Sequence, residues 1–483
     1  MGRRGTENCA SVPRPSHAQT RVAGIRRRHV IVRSAHQVMG GSWPSSTRRP
    51  EDQSAPTKGP RMAENPASQW TSTARRTAQE AKFFWTGGPI EVAPDTWFTS
   101  IGSGVTAFAT DEGLVLVDSG TRLFAGEMAE HIRTRTELPV HTAIYTHGHV
   151  DHAFGLGAFL AEGQTAPQIV AQANMDERFA RYARSPRHNA TINSRQFGGR
   201  TDDPTFESED LRFGYPEYPP TRHYQQSLEL RVGEATFELR ACRGETDDHT
   251  WVYCPERRVL CTGDLIIWGV PNAGNPQKAQ RYPWDWAKGL REMAETGAAS
   301  LCPGHGGPVV NDPGLVRRIL LDTAGFLEDI VERTLAVLED GSPPHVDIVR
   351  RVDLPESDAP WLQPVYDEAE FIVRNVIRYF GGWWSGRPSE LKPAPRADVA
   401  TELAALAGGV GALLARATEL APRNMALACH LADYAVEAAP DDPDVAEGVA
   451  RLYTDRAAQE TSLMATNLYR SAAASAEAKR PFA

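Results

Sequence analysis

A chain of 483 residues, 41% hydrophobic and 23% charged, has the balance of a soluble globular protein and the length for two or three domains. Its net charge of −9 is unevenly spread: residues 1–61 hold twelve Lys or Arg against three acids, and the remainder is acidic, which excludes nucleic acid as the partner of the folded part. Six cysteines without CxxC spacing exclude a disulfide scaffold and a thiolate zinc site, and no run approaches the roughly 18 apolar residues of a membrane span.

Residues 1–61 are rich in Ser, Pro and Gly and lack apolar periodicity, so they read as a disordered basic extension. The ordinary sequence that opens at Met62 also makes that methionine a candidate start. No stretch has the apolar form of a secretory signal. From 62 to 312 short β runs alternate with helices. WFTSIG, VTAFAT and LVLVDSG are strand-like and separated by Gly-containing turns. A helix is predicted over 123–136, a strand over 142–145 and a helix over 153–161. Strands resume with SLELRV, ATFELRAC, TWVYC, RVLCTGD and ASLCPG. The pattern predicts a layered α/β domain. Cys254, Cys261 and Cys302 fall in its apolar strand runs, as buried reduced thiols do, and a reducing cytoplasm is expected.

After residue 312 the texture changes. Pro313 begins an amphipathic stretch to Leu338, and helical periodicity returns over 361–379. RPSELKPAP interrupts it, and Ala- and Leu-rich segments run on to Ala474. The apolar run 403–420 reads as one packed helix. Residues 313–483 are therefore expected to be all-helical.

The chemistry concentrates in Thr146-His147-Gly148-His149-Val150-Asp151-His152, directly after a predicted strand. Three imidazoles and a carboxylate within six positions of a strand-to-helix loop can turn toward one centre and suit Zn²⁺ or another divalent first-row ion. No GxSxG suggests a serine nucleophile instead.

This HxHxDH run resembles the signature of the metallo-β-lactamase superfamily. The rest of that pattern follows in order: Asp118 in LVLVDSG, His249 in GETDDHTWVY, Asp264 in LCTGDLI and His305 in CPGHGGP. The resemblance implies an αββα sandwich. It also implies two zinc ions per chain, one held by His147, His149 and His249 and the other by Asp151, His152 and His305. Asp264 would lie between them and Asp118 would support the loop from behind. Asp151 and Asp264 become the catalytic carboxylates, with a water shared between two cations as nucleophile. The helical region, VDLPESDAPWLQPVYDEAEFIVRNVIRYFGGWWSGRPSEL and then RNMALACHLADYAVEAAPDDPDV, is similar to the dimerisation domain of alkyl sulfatases and related hydrolases. It implies a homodimer and a small anionic substrate with an apolar tail. Alkyl sulfatases of the best-known type carry glutamates where this chain has His249 and Asp264, and they continue into a further sterol-carrier-like domain.

Between Asp264 and His305, Asn272, Asn275, Lys278 and Arg281 are candidate donors for an anionic group, while Trp268, Trp284 and Trp286 are candidates for an apolar mouth. His188, Asn193, Arg195 and His223 lie in the long insertion expected to shape the pocket. The favoured activity is hydrolysis of an alkyl or aryl sulfate ester. Hydrolysis of a carboxylic ester, lactone, thioester or β-lactam at the same centre is the alternative, with iron-dependent redox chemistry behind both.

Overall fold

Apolar runs too short for helices make the framework. GLVLV (β4, Gly113–Val117) and VLCTGDLII (β11, Val259–Ile267) are buried at every position, as strands covered on both faces must be. The computed structural model describes residues 86–198, 204–341, 343–480 and 482. The basic extension over 1–61 and Met62 lie outside the described residues.

Two twisted sheets face one another. The first holds β1 (Gly87–Ala93), β2 (Thr96–Ile101), β3 (Ser103–Thr110), β4, β5 (Val140–Ile144), β6 (Gln168–Gln172) and β7 (Arg222–Tyr224) in chain order. It is antiparallel through β4 and parallel from β4 to β7. The second runs β12 (Ser300–His305), β11, β10 (Thr250–Cys254), β9 (Ala235–Ala241) and β8 (Ser227–Val232). Its strands are antiparallel except for the parallel pair β11–β12. Phe98, Phe108, Val115 and Ile144 of the first sheet share one core with Phe237, Leu239, Val252 and Cys261 of the second. At its centre Phe108 and Phe237 meet edge to face, centroids 5.1 Å apart.

Helix α1 (Ala125–Arg133) packs outside β1 and β2, and three further helices lie in the loops of the first sheet: α2 (Val150–Ala153), α3 (Met175–Arg184) and α4 (Pro186–Gly198). On the other side α5 (Pro283–Ala294) lies against β11. The layered α/β domain expected from the strand-and-helix pattern is present, in the αββα order that the superfamily resemblance implied. The predicted helix over 153–161 is instead the single turn α2 and a 3₁₀ turn at Leu156–Phe159. Gly155 separates them where a Cβ would come within 2.2 Å of Ser119 O.

Helix α6 (Pro313–Glu339) opens with Pro313 and the Asp312 cap, whose carboxylate accepts the Leu315 N–H. With α7 (His345–Arg351) and α8 (Ala369–Phe380) it completes a second core that includes Trp251, Trp268 and Trp286 of the layered part. Apolar packing is thus continuous across residue 312. The periodicity over 361–379 divides into a 3₁₀ turn at Pro360–Leu362 and α8, with Asp367 and Glu368 between them. The last helices, α9 (Arg396–Ala407), α10 (Val410–Leu420), α11 (Met425–Ala438), α12 (Pro443–Ala457) and α13 (Leu463–Glu477), bury alanines in a core of their own. The run 403–420 is two helices, not one. Gly408 and Gly409 adopt φ +90° and +116°, and the axis bends by 84° there. Among the described residues no single helix is long and apolar enough to cross a membrane.

Candidate metal centre

The side chains of the HxHxDH run are aimed by their backbone. β4 is followed directly by Asp118, which takes φ +62°, a conformation an aspartate tolerates at some cost. Its carboxylate accepts the Thr146 N–H at 2.7 Å, the Thr146 hydroxyl at 2.8 Å and His152 Nδ1 at 2.8 Å. Gly148 donates its N–H to Asp248 at 2.8 Å, and Asp248 is held by Arg178 Nε at 2.7 Å. The turn after β5 is therefore pinned at both ends. The short helix α2, which His149 precedes as its cap residue, then carries Asp151 and His152 to the same side.

Two groups of ligand atoms result. His147, His149, Glu245 and Asp264 offer atoms within 4.8 Å of one another, and so do Asp151, His152 and His305. His147 Nε2 is 2.8 Å from His149 Nδ1. Asp264 faces both groups: Oδ2 is 3.6 Å from His147 Nε2, while Oδ1 is 3.1 Å from His152 Nε2 and 3.4 Å from His305 Nε2. Asp151 Oδ2 lies 3.6 and 3.5 Å from the Nε2 atoms of His152 and His305. His305 Nδ1 is 2.5 Å from Gly102 O. A carbonyl only accepts, so the proton sits on Nδ1 and Nε2 is left to face the centre.

The electrostatics point to cations. Burial, then the neighbouring imidazoles His152 and His149, hold His147 well below the usual histidine range. Burial and the positive charge of Arg281 do the same for His149. His152 goes the other way, because burial is outweighed by Asp264, Asp151 and Asp118. Burial and the charge of Asp264 push the Glu245 carboxyl well up. His152 Nε2, Glu245 Oε2 and Asp264 Oδ1 are buried without a hydrogen-bond partner. Buried ring-nitrogen and carboxylate-oxygen atoms left without hydrogen-bond partners are costly in an interior, and this donor set fits one or two divalent cations. The chain thus has a site suited to divalent metal.

Glu245 is a residue that the spacing argument missed, while His249, which it named, stands outside both groups of ligand atoms. His249 is fully buried and stacks on His147 with centroids 4.5 Å apart, its Nε2 3.3 Å from Thr262 O. Glu245 stands four residues earlier, in the same GETDDH loop, gripped by Asn272 Nδ2 at 2.5 Å and Arg281 Nη2 at 3.1 Å.

That grip corrects the substrate expectations. Arg281 is buried, and two of its nitrogens, Nη1 and Nη2, hold Glu245. Asn272 and Asn275 are buried and bond each other at 3.3 Å. Trp268 and Trp286 do not line a mouth: both are core residues, their indole N–H groups donated to Gly307 O and Leu265 O at 2.9 Å. Trp284 is partly exposed beneath Lys288. Lys278, unlike Arg281, has no ion pair among the described residues. It lies on Asn193 Oδ1, 5.4 Å from the Phe213 ring. Phe213 in turn stands 5.7 Å from the His149 ring and 4.8 Å from Tyr182. His188 is exposed, and His223 is exposed beside Asp176 at 3.1 Å. Arg195 is partly buried on α4.

Comparison with known proteins agrees with this architecture. Residues 102–305 match the metallo-beta-lactamase superfamily and residues 345–479 match the alkyl sulfatase dimerisation family. A linear primary-alkylsulfatase of a Pseudomonas species is 26% identical over 351 residues, 68% of this chain and 66% of that protein. The alkyl/aryl-sulfatase BDS1 of Saccharomyces cerevisiae is 24% identical over 65% of this chain and 52% of its own length. The structure of the stereoselective inverting sec-alkylsulfatase Pisa1 from Pseudomonas sp. superimposes with a TM-score of 0.70 at 20% identity, covering 81% of this chain and 66% of that one. The chain spans two thirds or less of the length of these relatives. It is a metallo-β-lactamase-fold protein by its layered part. It carries an alkyl sulfatase dimerisation domain behind that part and is homologous to the alkyl sulfatases.

Proposed function

We propose that the chain is a metal-dependent hydrolase of alkyl sulfate esters, working as a homodimer with two zinc ions per chain. The observation that carries the metal chemistry is Asp264, whose two oxygens face separate groups of ligand atoms. The sulfate ester is favoured by the relatives, all named for alkyl or aryl sulfatase activity.

His147, His149, Glu245 and Asp264 would hold one ion, and Asp151, His152, His305 and Asp264 the other. Such a pair supplies Lewis acidity and a water acidic enough to ionise near neutral pH. The chain's own residues supply the rest. Asp118 and Gly102 take the Nδ1 protons of His152 and His305, so both rings present Nε2. The Lys278 ammonium is placed to meet an anionic group entering past His149. Phe213 and Tyr182 give an alkyl chain an apolar wall, the part expected of the tryptophans. The unpaired state of the described cysteines supports a reducing compartment.

Metal analysis of the purified chain, joined to turnover of an alkyl sulfate beside a carboxylic ester, a thioester and a lactone, tests the reading. Two zinc ions with sulfate release at least tenfold faster than hydrolysis of the other esters is the expected result. Thioester or lactone turnover without sulfate release would replace the substrate class and leave the metal site standing. Iron with oxygen consumption would replace the reaction.

A further inference from the structure

The loop that grips Glu245 has almost no regular structure. From Gly269 to Tyr282 it runs between β11 and α5 in turns and bends, so its shape must come from what it touches. What it touches is the helical part of the same chain. Asp367, fully buried just before α8, accepts the N–H groups of Gly274 at 2.7 Å and Asn275 at 3.1 Å on Oδ2, and that of Glu368 at 2.8 Å on Oδ1. Asn375 on α8 donates to Ala273 O at 2.8 Å and Arg281 O at 3.0 Å, while its Oδ1 accepts Gln280 Nε2 at 3.0 Å. Val270 donates its N–H to Gln363 O at 2.9 Å. Gly274 approaches α8 so closely that a Cβ would come within 2.5 Å of the Phe371 backbone. The same loop presents Asn272 and Arg281 to Glu245.

We propose that Asp367 and Asn375 are positioning residues for Glu245, so that the helical part completes the metal site of its own chain besides any role in dimerisation. The proposal rests on the metal site argued above. Its physical basis is that a buried carboxylate accepting two successive backbone N–H groups fixes the peptide between them. One hydrogen-bond step further on, the Asn275 amide meets Asn272, and Asn272 meets Glu245. A ligand that wanders binds its ion less tightly. Loss of groups that orient ligands costs about 10–100-fold in metal affinity.

The test uses the full chain, stripped of metal and titrated with Co²⁺, whose visible spectrum reports ligand geometry. Exchange of the Gly274 and Asn275 amides is followed in the metal-free protein. Asp367→Ala is expected to weaken one of the two metal-binding steps by about 10–100-fold, alter the spectrum of that step, speed exchange at both amides, and lower kcat more than it raises KM. Asp367→Asn, which keeps an acceptor oxygen, is expected to restore much of the loss. Asp433→Ala, which removes the partner of Tyr453 among the last helices, should leave binding and spectrum as in the wild type. If Asp367→Ala does not fold, Asn375→Ala decides by the same measurements. Folded variants with wild-type affinity and spectrum for both ions would overturn the proposal. A wild-type chain that binds no divalent ion would instead overturn the metal site itself.

Discussion

The Asp118 carboxylate lies 2.8 Å from His152 Nδ1 and also accepts both the N–H and the hydroxyl of Thr146. One side chain therefore fixes the turn that presents His147 and the ring orientation of His152. Asp118→Asn preserves the shape but puts an amide nitrogen where one of these donors already points. Affinity for the ion on Asp151, His152 and His305 is expected to drop by roughly 10–100-fold, with secondary structure retained. Competition against a chromophoric chelator measures it. Unchanged affinity would mean that the loop is held by Asp248 and Arg178 alone.

Glu245 and His249 compete for one place in the metal site, and the geometry favours the carboxylate. Glu245→Gln keeps the contacts of Asn272 and Arg281 in outline and removes the charge. The structure leads us to expect loss of one of two bound ions and a fall in kcat of at least 100-fold. His249→Phe keeps a ring stacked on His147 and is expected to retain both ions. Metal content by mass spectrometry separates the cases. The opposite ranking, with His249→Phe losing an ion, would restore the order read from the superfamily pattern.

The contrast shows what the chain's spelling conveys. Strands such as GLVLV and the HxHxDH run are local signals, so the sheets and the first four candidate ligands could be read in place. Glu245 could not: GETDDH offers Glu245, Asp247, Asp248 and His249 in five positions, and which turns inward depends on Asn272 and Arg281, 27 and 36 residues away. The resemblance to alkyl sulfatases had offered a glutamate for this place, but one-to-one matching put His249 there. Trp268 and Trp286 failed for a related reason. Sequence shows an aromatic near a site, and only packing tells whether α6 and α8 cover it. The break at Gly408-Gly409 left a signal in the chain, since paired glycines rarely sit inside a helix, but the alanine pattern on either side led 403–420 to be read as one helix.

Trp268 is expected to report on stability, not on substrate choice. It is buried beside Gly306, whose φ of +102° and missing Cβ let the His305 loop close over the indole. Trp268→Ala should cost about 3–5 kcal/mol of unfolding free energy. The ratio of activities on short and long alkyl sulfates should stay within about twofold. Chemical denaturation and a chain-length series test the two halves. A change in chain-length preference with unchanged stability would put Trp268 back in the mouth.

Phe213 is the counterpart. It faces His149 and Tyr182 and carries Lys278 above its ring. Phe213→Ala is expected to raise KM for long-chain alkyl sulfates by about 5–30-fold, the worth of one to two kcal/mol of lost apolar contact. KM for a short-chain sulfate should change less than threefold. Equal effects on both would mean the ring supports Lys278 and does not touch the tail.

Lys278 sets a pH dependence whose sign can be worked out. Burial is the main cause that brings its ammonium down to about 7, with Arg281 acting in the same direction and Glu245 and Asp151 opposing. Below pH 7 the folded and unfolded chains both hold the proton, and the fold bears the cost of a desolvated charge. Between about pH 7 and the ordinary lysine range near 10.4 the unfolded chain holds the proton and the folded one has released it. Unfolding free energy therefore gains a rising contribution with pH across that window. Lys278→Met, similar in length and uncharged, should be more stable than the wild type at pH 6, and the difference should shrink toward pH 10. Activity should respond in the opposite sense. If the ammonium meets the sulfate, kcat/KM of the wild type declines above pH 7, and the Met variant is slow throughout with no decline from this group. Urea unfolding at pH 6, 8 and 10 beside a pH–rate profile measures both. A wild-type profile that the Met variant reproduces in shape and height would remove Lys278 from the reaction and leave it a buried strut on Asn193.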